Sequence, residues 1–295
     1  MARSKKEVDM VSRVFQKLFF VLPTVVFFKY LNLAAKIFDS KELSAGISLF
    51  HKLRSTLPLT VERDGLVFDA STKTPASRGI RLKDKEPDMI NWLEDNLQAS
   101  DTFLDVGANV GVYSLYAARI CKQVIAIEPE SLSYASLNRN IFLNQFDQKI
   151  VALNIALHDE DLVSHLNVSD FQEGKSGHNF HYKLDDQLDP FDPIYKQSVI
   201  GLRFDSLAKH FGVKSPNLIK IDVDGQELRV VQGMKQLLRN DLVRTIVIET
   251  NRRNVEHESI QEILGGFGFI RSHNQRYENP EYREMGIQNK FYFRG

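Results

Sequence analysis

A single cysteine, Cys121, stands in the 295-residue chain. One thiol leaves no intrachain disulfide and no cysteine-based zinc cluster, and a reducing, cytoplasmic setting is compatible with that usage. Neither charge is in excess, since Lys+Arg and Asp+Glu both total 38. Nothing global therefore marks the chain for nucleic acid or for a strongly acidic partner. Internal repeats and low-complexity tracts are missing too. So is a hydrophobic run long enough to cross a bilayer as a helix. The stretch "LFFVLPTVVFF", Leu18–Phe28, is broken by Pro23 and closed by Lys29, well short of the roughly 20 residues required.

What is present is an ordinary globular composition, 43% hydrophobic and 26% charged. The length suits one large domain with an appendage. We expect a helical extension over residues 1–58 and a domain over 59–295, its core at 100–295. In the extension Arg3, Lys5, Lys6, Arg13 and Lys17 outnumber Glu7 and Asp9 ahead of the apolar stretch. That pairing reads as an interfacial segment, with residues 1–50 in peripheral contact with the inner face of a membrane. The competing readings are a helix packed on the domain or on a second subunit, and a cleaved signal peptide ending near "NLAA". The oligomeric state is open.

"LTVERDGLVFDAS" predicts two short strands around Asp64-Gly65, a favoured hairpin turn. "PDMINWLEDNLQASD" predicts a helix with Pro87 at its start and Met89, Ile90, Trp92, Leu93 and Leu97 on one face. From residue 102 onward apolar strands are expected at 102–106, 124–127, 150–155, 217–221 and 243–248. Helices are expected between them at 111–121, 131–144, 226–239 and 256–264. Such alternation means a parallel sheet covered on both faces, with ligands bound beyond the carboxyl ends of its strands.

Asp105 closes the first of these strands, Gly107-Ala108-Asn109-Val110-Gly111 forms the turn, and a helix begins near Val112. The glycines leave room for a ligand to approach the main chain at a helix N-terminus, and Asn109 tolerates left-handed dihedrals. Glu128 ends the second strand, where a ribose presents its hydroxyls, and Pro129 then stops that strand. A dinucleotide turn, G-x-G-x-x-G, places three glycines where this chain has Gly107, Asn109 and Val112. Two of the three are absent. S-adenosylmethionine (SAM) carries no phosphate, and its zwitterionic arm suits a turn beside Asp105 better. The bland alternative is an ordinary strand–turn–helix corner.

A second constellation is "LIKIDVDGQELRVVQGM", Leu218–Met234. Lys220 and Asp222 share one face of the fourth core strand because side chains alternate. Asp222 lies at its carboxyl end, as a candidate catalytic base. Asp224 and Glu227 match a capping box ahead of Leu228, Val230 and Val231. Glu249 in "TIVIETN" is a third acidic strand tip, so Lys220 and Glu249 are expected on an acidic substrate side of the cleft.

In that order, "DVGANVG", "IEPE", "KIDVDGQE" and "IVIETN" resemble the FkbM family of SAM-dependent methyltransferases. "NIALHDE" is similar to the family's third-strand exit, Glu86-Pro87 to a pair upstream of its glycine turn, and the closing "NKFYFRG" to its last strand. The resemblance covers roughly Glu86 to Phe293. It implies an α/β Rossmann-like class I methyltransferase fold: a seven-stranded, mostly parallel sheet with an antiparallel last strand and helices on both faces. It also implies methyl transfer mostly to oxygen. Carried over by position, it assigns SAM binding to Glu86, Asp105, Gly107, Ala108, Asn109, Gly111, Glu128 and Pro129, with Ile155 and Ala156 near the adenine. Residues 1–50 and Phe171–Gln197 match none of its motifs.

A sugar or secondary-metabolite hydroxyl needs a group to take its proton during attack. Besides Asp222, the candidates are His178 and His181 in "GKSGHNFHYKLDD", on a long polar loop expected to fold over the cleft. Two solvated loop histidines are the alternative. Asp185, Asp186, Asp189 and Asp192 on the same loop read as an acidic lid rather than a metal site. A divalent ion on Asp222 and Glu249 is compatible with the spacing but not required by it. The "DVDG" at 222–225 lacks the [DN]-P-P-[YF] pattern of adenine amino-methylation, which again argues against nucleic acid. The leading expectation is an O-methyltransferase for a small molecule, a glycan or a lipid-linked glycan. A nucleotide-dependent (NAD) oxidoreductase and a SAM-binding protein without turnover are the other two.

Overall fold

The computed structural model of the chain describes Ser48 and residues 59–183, 189–251 and 256–295. The expectations for residues 1–50, and those for Asp185 and Asp186, lie outside the described residues. The chain divides into two compact units, Met1–Pro58 and Leu59–Gly295, and every element below belongs to the second.

Strands β1 (Thr60–Arg63) and β2 (Leu66–Asp69) pair antiparallel, and Asp64 (φ 53°) and Gly65 (φ 73°) supply the two left-handed residues of the hairpin turn. Helices α1 (Lys73–Ile80) and α2 (Leu82–Lys85) lead to α3 (Pro87–Asn96), with Pro87 in its first turn. Met89, Ile90, Trp92, Leu93 and Leu97 are all buried, as their spacing requires. The Trp92 indole N–H donates to Thr245 Oγ1 at 3.0 Å, so its one polar atom costs nothing to bury.

The α/β alternation follows: β3 (Thr102–Val106), α4 (Val112–Ile120), β4 (Gln123–Ile127), α5 (Ser131–Leu143) and β5 (Ile150–Leu153). Next come β6 (Ala156–Leu157), β7 (Leu162–Val168), β8 (Asn179–Phe180) and β9 (Tyr195–Leu202). The chain continues through α6 (Phe204–Phe211), β10 (Leu218–Ile221), α7 (Glu227–Gln232) and α8 (Lys235–Leu238). It ends with β11 (Thr245–Asn251), α9 (Glu256–Gly266), β12 (Phe269–Arg271), α10 (Pro280–Met285) and β13 (Ile287–Arg294). The single helix expected over 226–239 is two. The chain bends at Gly233, where a side chain's Cβ would stand 1.9 Å from the His158 carbonyl oxygen.

Seven strands form the main sheet in the order β12-β13-β11-β10-β3-β4-β5. β3, β4, β5, β10 and β11 run parallel, and β13 is antiparallel to both β11 and β12. One face packs against α3, α4 and α5 through Trp92, Leu115 and Leu137. The other packs against α6, α7, α8 and α9 through Phe204, Val231, Leu238 and Leu264. The sheet is therefore buried on both sides, as apolar parallel strands demand.

The stretch from Phe171 to Gln197 is more than a loop. Together with β7 it contributes to a second, four-stranded sheet, β6-β9-β7-β8. Leu166, Val168, Phe180 and Val199 fill that sheet's inner side.

Candidate functional site

The order of the main sheet reverses between β3 and β10, the place where such sheets open a ligand crevice. The turns that leave these two strands touch there. Gly107 has φ 78°, and a Cβ at that position would lie 1.8 Å from the Asp222 carbonyl oxygen. The Gly107 and Ala108 N–H groups donate to the Ile127 carbonyl at 3.0 and 2.9 Å, which ties the turn to the end of β4. Asn109 takes the left-handed conformation its side chain tolerates (φ 51°), and its amide donates to the Lys175 carbonyl at 3.0 Å.

Glu128 is drawn into the same junction. Its Oε2 accepts the Asn109 N–H at 2.7 Å and its Oε1 the Glu130 N–H at 2.8 Å. Asn154 donates to the Glu128 carbonyl at 2.8 Å. Burial raises the Glu128 carboxyl to about 8, and the charges of Glu130 and Asp224 add to this while the two N–H donors oppose it. Glu130 caps α5, accepting the N–H groups of Leu132 and Ser133.

Lys220 lies buried between two carboxylates, 3.4 Å from Asp105 Oδ1 and 3.1 Å from Asp222 Oδ2. Burial by itself would lower the Lys220 ammonium, but Asp222, Asp105 and Glu86 outweigh that and raise it. The lysine therefore stays charged. Asp105 also accepts from Ser114 Oγ at 2.6 Å. The Glu249 carboxyl is raised well above its usual range by burial, then by the charges of Asp222, Glu86 and Asp224.

One cavity gathers Gly107, Asn109, Glu128, Pro129, Ala156, His178, Asp222 and Glu249. A smaller one beside it takes in Glu86, Ala108 and Lys220 and shares Gly107, Asn109 and Asp222. Asp105 and Gly111 line neither. They lie beneath the turn, Asp105 fully buried and Gly111 (φ 88°) packed so that a Cβ would meet Leu137 at 2.4 Å. Ile155 and His181 also lie off both cavities. Ile155 turns into the core against the second helical layer, the face opposite to that of its neighbour Ala156. His181 follows β8, bonds Ser164 Oγ through Nδ1 at 2.9 Å and is exposed.

The capping box resolves only in part. Glu227 does reach back, its Oε1 accepting the Gly225 and Val223 N–H groups at 3.1 and 3.3 Å. Asp224 ties two loops together. It stands at φ 52° and accepts the Gly177 N–H at 2.8 Å, holding the loop before β8 to the loop after β10. Sequence reasoning did not single out Arg78, Lys175, Phe180 or Gln226, which also line the cavity. The period-two pattern of "YKQSVIGL" carried the signal for the wall that brings in Phe180.

Two polar atoms in this lining are buried without a partner, His178 Nε2 and Gln226 Oε1. Burial lowers the His178 imidazole below its usual range. Among the described residues no group of three or more His, Cys, Asp or Glu side chains is arranged to hold a metal ion. Nor is any helix among them long and apolar enough to cross a membrane.

The methyltransferase FkbM domain matches residues 105–277, more than half of the chain. The chain belongs to the FkbM methyltransferase family. Methyltransferase sdnD of Sordaria araneosa is 26% identical over 201 residues, 59% of this chain and 75% of its own. The hexuronic acid methyltransferase AglP of Haloferax volcanii is 25% identical over 182 residues, 61% of this chain and 67% of its own. Among solved structures, methyltransferase FkbM from Methylobacillus flagellatus KT aligns with a TM-score of 0.43 at 15% identity, over 66% of this chain and 44% of that one. The FkbM match begins at Asp105, so Glu86, the hairpin and β13 complete the fold outside it.

Proposed function

We propose that this FkbM methyltransferase uses SAM to methylate a hydroxyl of a sugar, a glycan or a secondary metabolite. The observation that carries the reading is that Gly107, Glu128 and Asp222, which end three different strands or their turns, line one cavity. The residues fit the nucleoside. Gly107 leaves the turn bare of side chain, and in the ionised form each Glu128 oxygen accepts one N–H and has capacity for a further donor. A ribose diol supplies two such donors.

When bound, SAM supplies an electrophilic methyl group whose transfer depends mainly on alignment with the acceptor. The side chains perform the remaining tasks. Asp222, held by Lys220 at 3.1 Å, takes the acceptor's hydroxyl proton; a positioned base contributes roughly 10²–10⁴-fold. Glu249, whose carboxyl burial raises well above its usual range, lines the same cavity and in its protonated form donates a hydrogen bond to an acceptor oxygen. His178 is assigned no proton-accepting role, because its free nitrogen is Nε2 and its Nδ1 already accepts the Ser169 N–H at 3.3 Å. The hexuronic acid specificity named for one relative supports a sugar acceptor.

The test is incubation of the full chain with methyl-labelled SAM and glycan, lipid and small-molecule extracts, beside calorimetric titration of SAM and NAD(H). A labelled product and heat with SAM are expected. Heat with NAD(H) and none with SAM overturns the reading, and SAM binding with no product from any extract leaves a binding protein.

A further inference from the structure

Between β7 and β8, residues 169–177 pass over the glycine turn and place Lys175 and Ser176 in the wall of the larger cavity. The segment is anchored on both flanks. On one side Glu173 accepts from Thr72 Oγ1 at 2.8 Å and from the Arg139 guanidinium. The Gly174 N–H donates to Ser133 Oγ at 3.1 Å, and the Gly174 carbonyl accepts from Arg78 Nε at 2.8 Å. In the middle the Lys175 carbonyl accepts the Asn109 amide at 3.0 Å. On the far side the Gly177 N–H donates to Asp224 Oδ2 at 2.8 Å. One short stretch thus ties the start of the domain and α5 to the glycine turn and to the loop after β10.

What holds this segment is almost entirely polar. Phe171 is its one large apolar side chain, and it is 46% exposed. The Gln172 N–H to the Asp170 carbonyl at 3.1 Å and the Lys175 N–H to the Gln172 carbonyl at 3.3 Å close turns within the segment itself. A stretch fastened this way, with little apolar surface buried, comes away at far smaller cost than the sheet beneath it. Gly174 (φ 75°) and Gly177 (φ 82°) bracket Lys175 and Ser176 and supply backbone freedom for that motion. The outermost tie is the ion pair of Glu173 with Arg139, whose guanidinium also reaches Asp69 of β2 at 2.7 Å. Neither Glu173 nor Arg139 lines either cavity, so the pair can be altered without touching a ligand.

We propose that residues 169–177 form a strap that opens and recloses over the bound nucleoside, latched by Glu173 and Arg139, and that its opening sets how fast cofactor enters and product leaves. This rests on the SAM reading above and adds a gate to it. Glu173 and Arg139 are positioning residues, acting on the ligand through the strap alone.

The experiment follows tritiated S-adenosylhomocysteine on the full chain, wild type and the Glu173→Gln and Arg139→Met variants, by association and by chase with unlabelled compound. A latch remote from the ligand changes the frequency of opening and leaves the affinity alone. Each variant is therefore expected to bind and release about 5- to 10-fold faster, with Kd within about two-fold of wild type. Trypsin cleavage after Lys175, read by mass spectrometry, should quicken in the free variants and be suppressed by the bound compound. Wild-type release rates in both variants overturn the proposal. So does a weakened Kd with unchanged entry, which marks a distorted site rather than a gate. If the wild type binds no S-adenosylhomocysteine, the SAM reading fails. Cleavage after Lys175 then decides the strap by itself: no faster in the variants, it falls too, and the two failures are told apart.

Discussion

Lys220 and Asp105 face each other in the parallel register of β10 and β3, and their side chains meet at 3.4 Å in a region closed to solvent. Neither belongs to the wall of the larger cavity. The pair instead neutralises the floor under the glycine turn and steadies Asp222 from below. Replacing Lys220 with Met strips Asp105 of its counter-charge, and breaking such a buried pair costs about 3–5 kcal/mol. A lower urea midpoint at unchanged m-value is expected. A midpoint within error of wild type would show that the pair does not bear on stability.

Asp222→Asn keeps the shape of the strand tip and removes the proposed proton acceptor. kcat is expected to fall roughly 10²–10⁴-fold while the affinity for SAM, measured by calorimetry, stays within a few-fold. A full-rate variant would remove Asp222 from the chemistry.

Stability should fall as pH rises through neutrality. Glu227 is raised to about 7 and Glu128 to about 8, both chiefly by burial, from an ordinary value of 4.5. The folded protein thus holds protons that the unfolded chain releases from 4.5 upward. Their stabilisation is complete below that value and is lost as pH passes about 7 and then about 8. Lowered histidines act in the opposite sense below their ordinary value of 6.5, so the useful window runs from 6.5 to 8. Thermal midpoints of wild type and of Glu128→Gln and Glu227→Gln, compared across it, should show a shallower decline in each variant.

Two glycines with nearly equal dihedrals separate strain from space. Gly65 (φ 73°) has nothing within 4 Å of an added Cβ, whereas Gly107 (φ 78°) has the Asp222 carbonyl at 1.8 Å. Gly65→Ala is expected to cost only the left-handed penalty of roughly 1–2 kcal/mol. Gly107→Ala adds an overpacking cost of about 1–3 kcal/mol and should abolish detectable SAM binding, because the turn must move. Chemical denaturation and calorimetry on the two variants check both statements.

His181→Ala should leave kcat and KM within about two-fold of wild type, since the ring faces Ser164 and solvent rather than the cavity. A large loss of kcat would place His181 in the site in a conformation other than this one.

The main sheet was legible because its signals are local. Apolar runs such as "VIAI" within β4 can be satisfied only inside a two-sided sheet, and Pro87, Asp64-Gly65 and Gly111 mark turns and helix starts by backbone chemistry. Asp105, Glu128, Asp222 and Glu249 were found for the same reason: a carboxylate ending an apolar strand stands out against its neighbours. The second sheet was not read. Its β8 strand is two residues long, and its paired residues lie up to 45 apart in number, between Ala156 and Leu202, where polar side chains alternate without a strong apolar run.

By itself the sequence determined the succession of the five parallel strands, the family, and which carboxylates stand at strand ends, because dihedral preference and side-chain alternation act over a few residues. The tertiary structure alone decided that Lys220 bridges Asp105 and Asp222, that Asp224 clasps the loop at Gly177, and that His178 enters the cavity while His181 does not. Those outcomes depend on segments tens of residues apart meeting at atomic distance, and on the desolvation that follows, which no local pattern encodes.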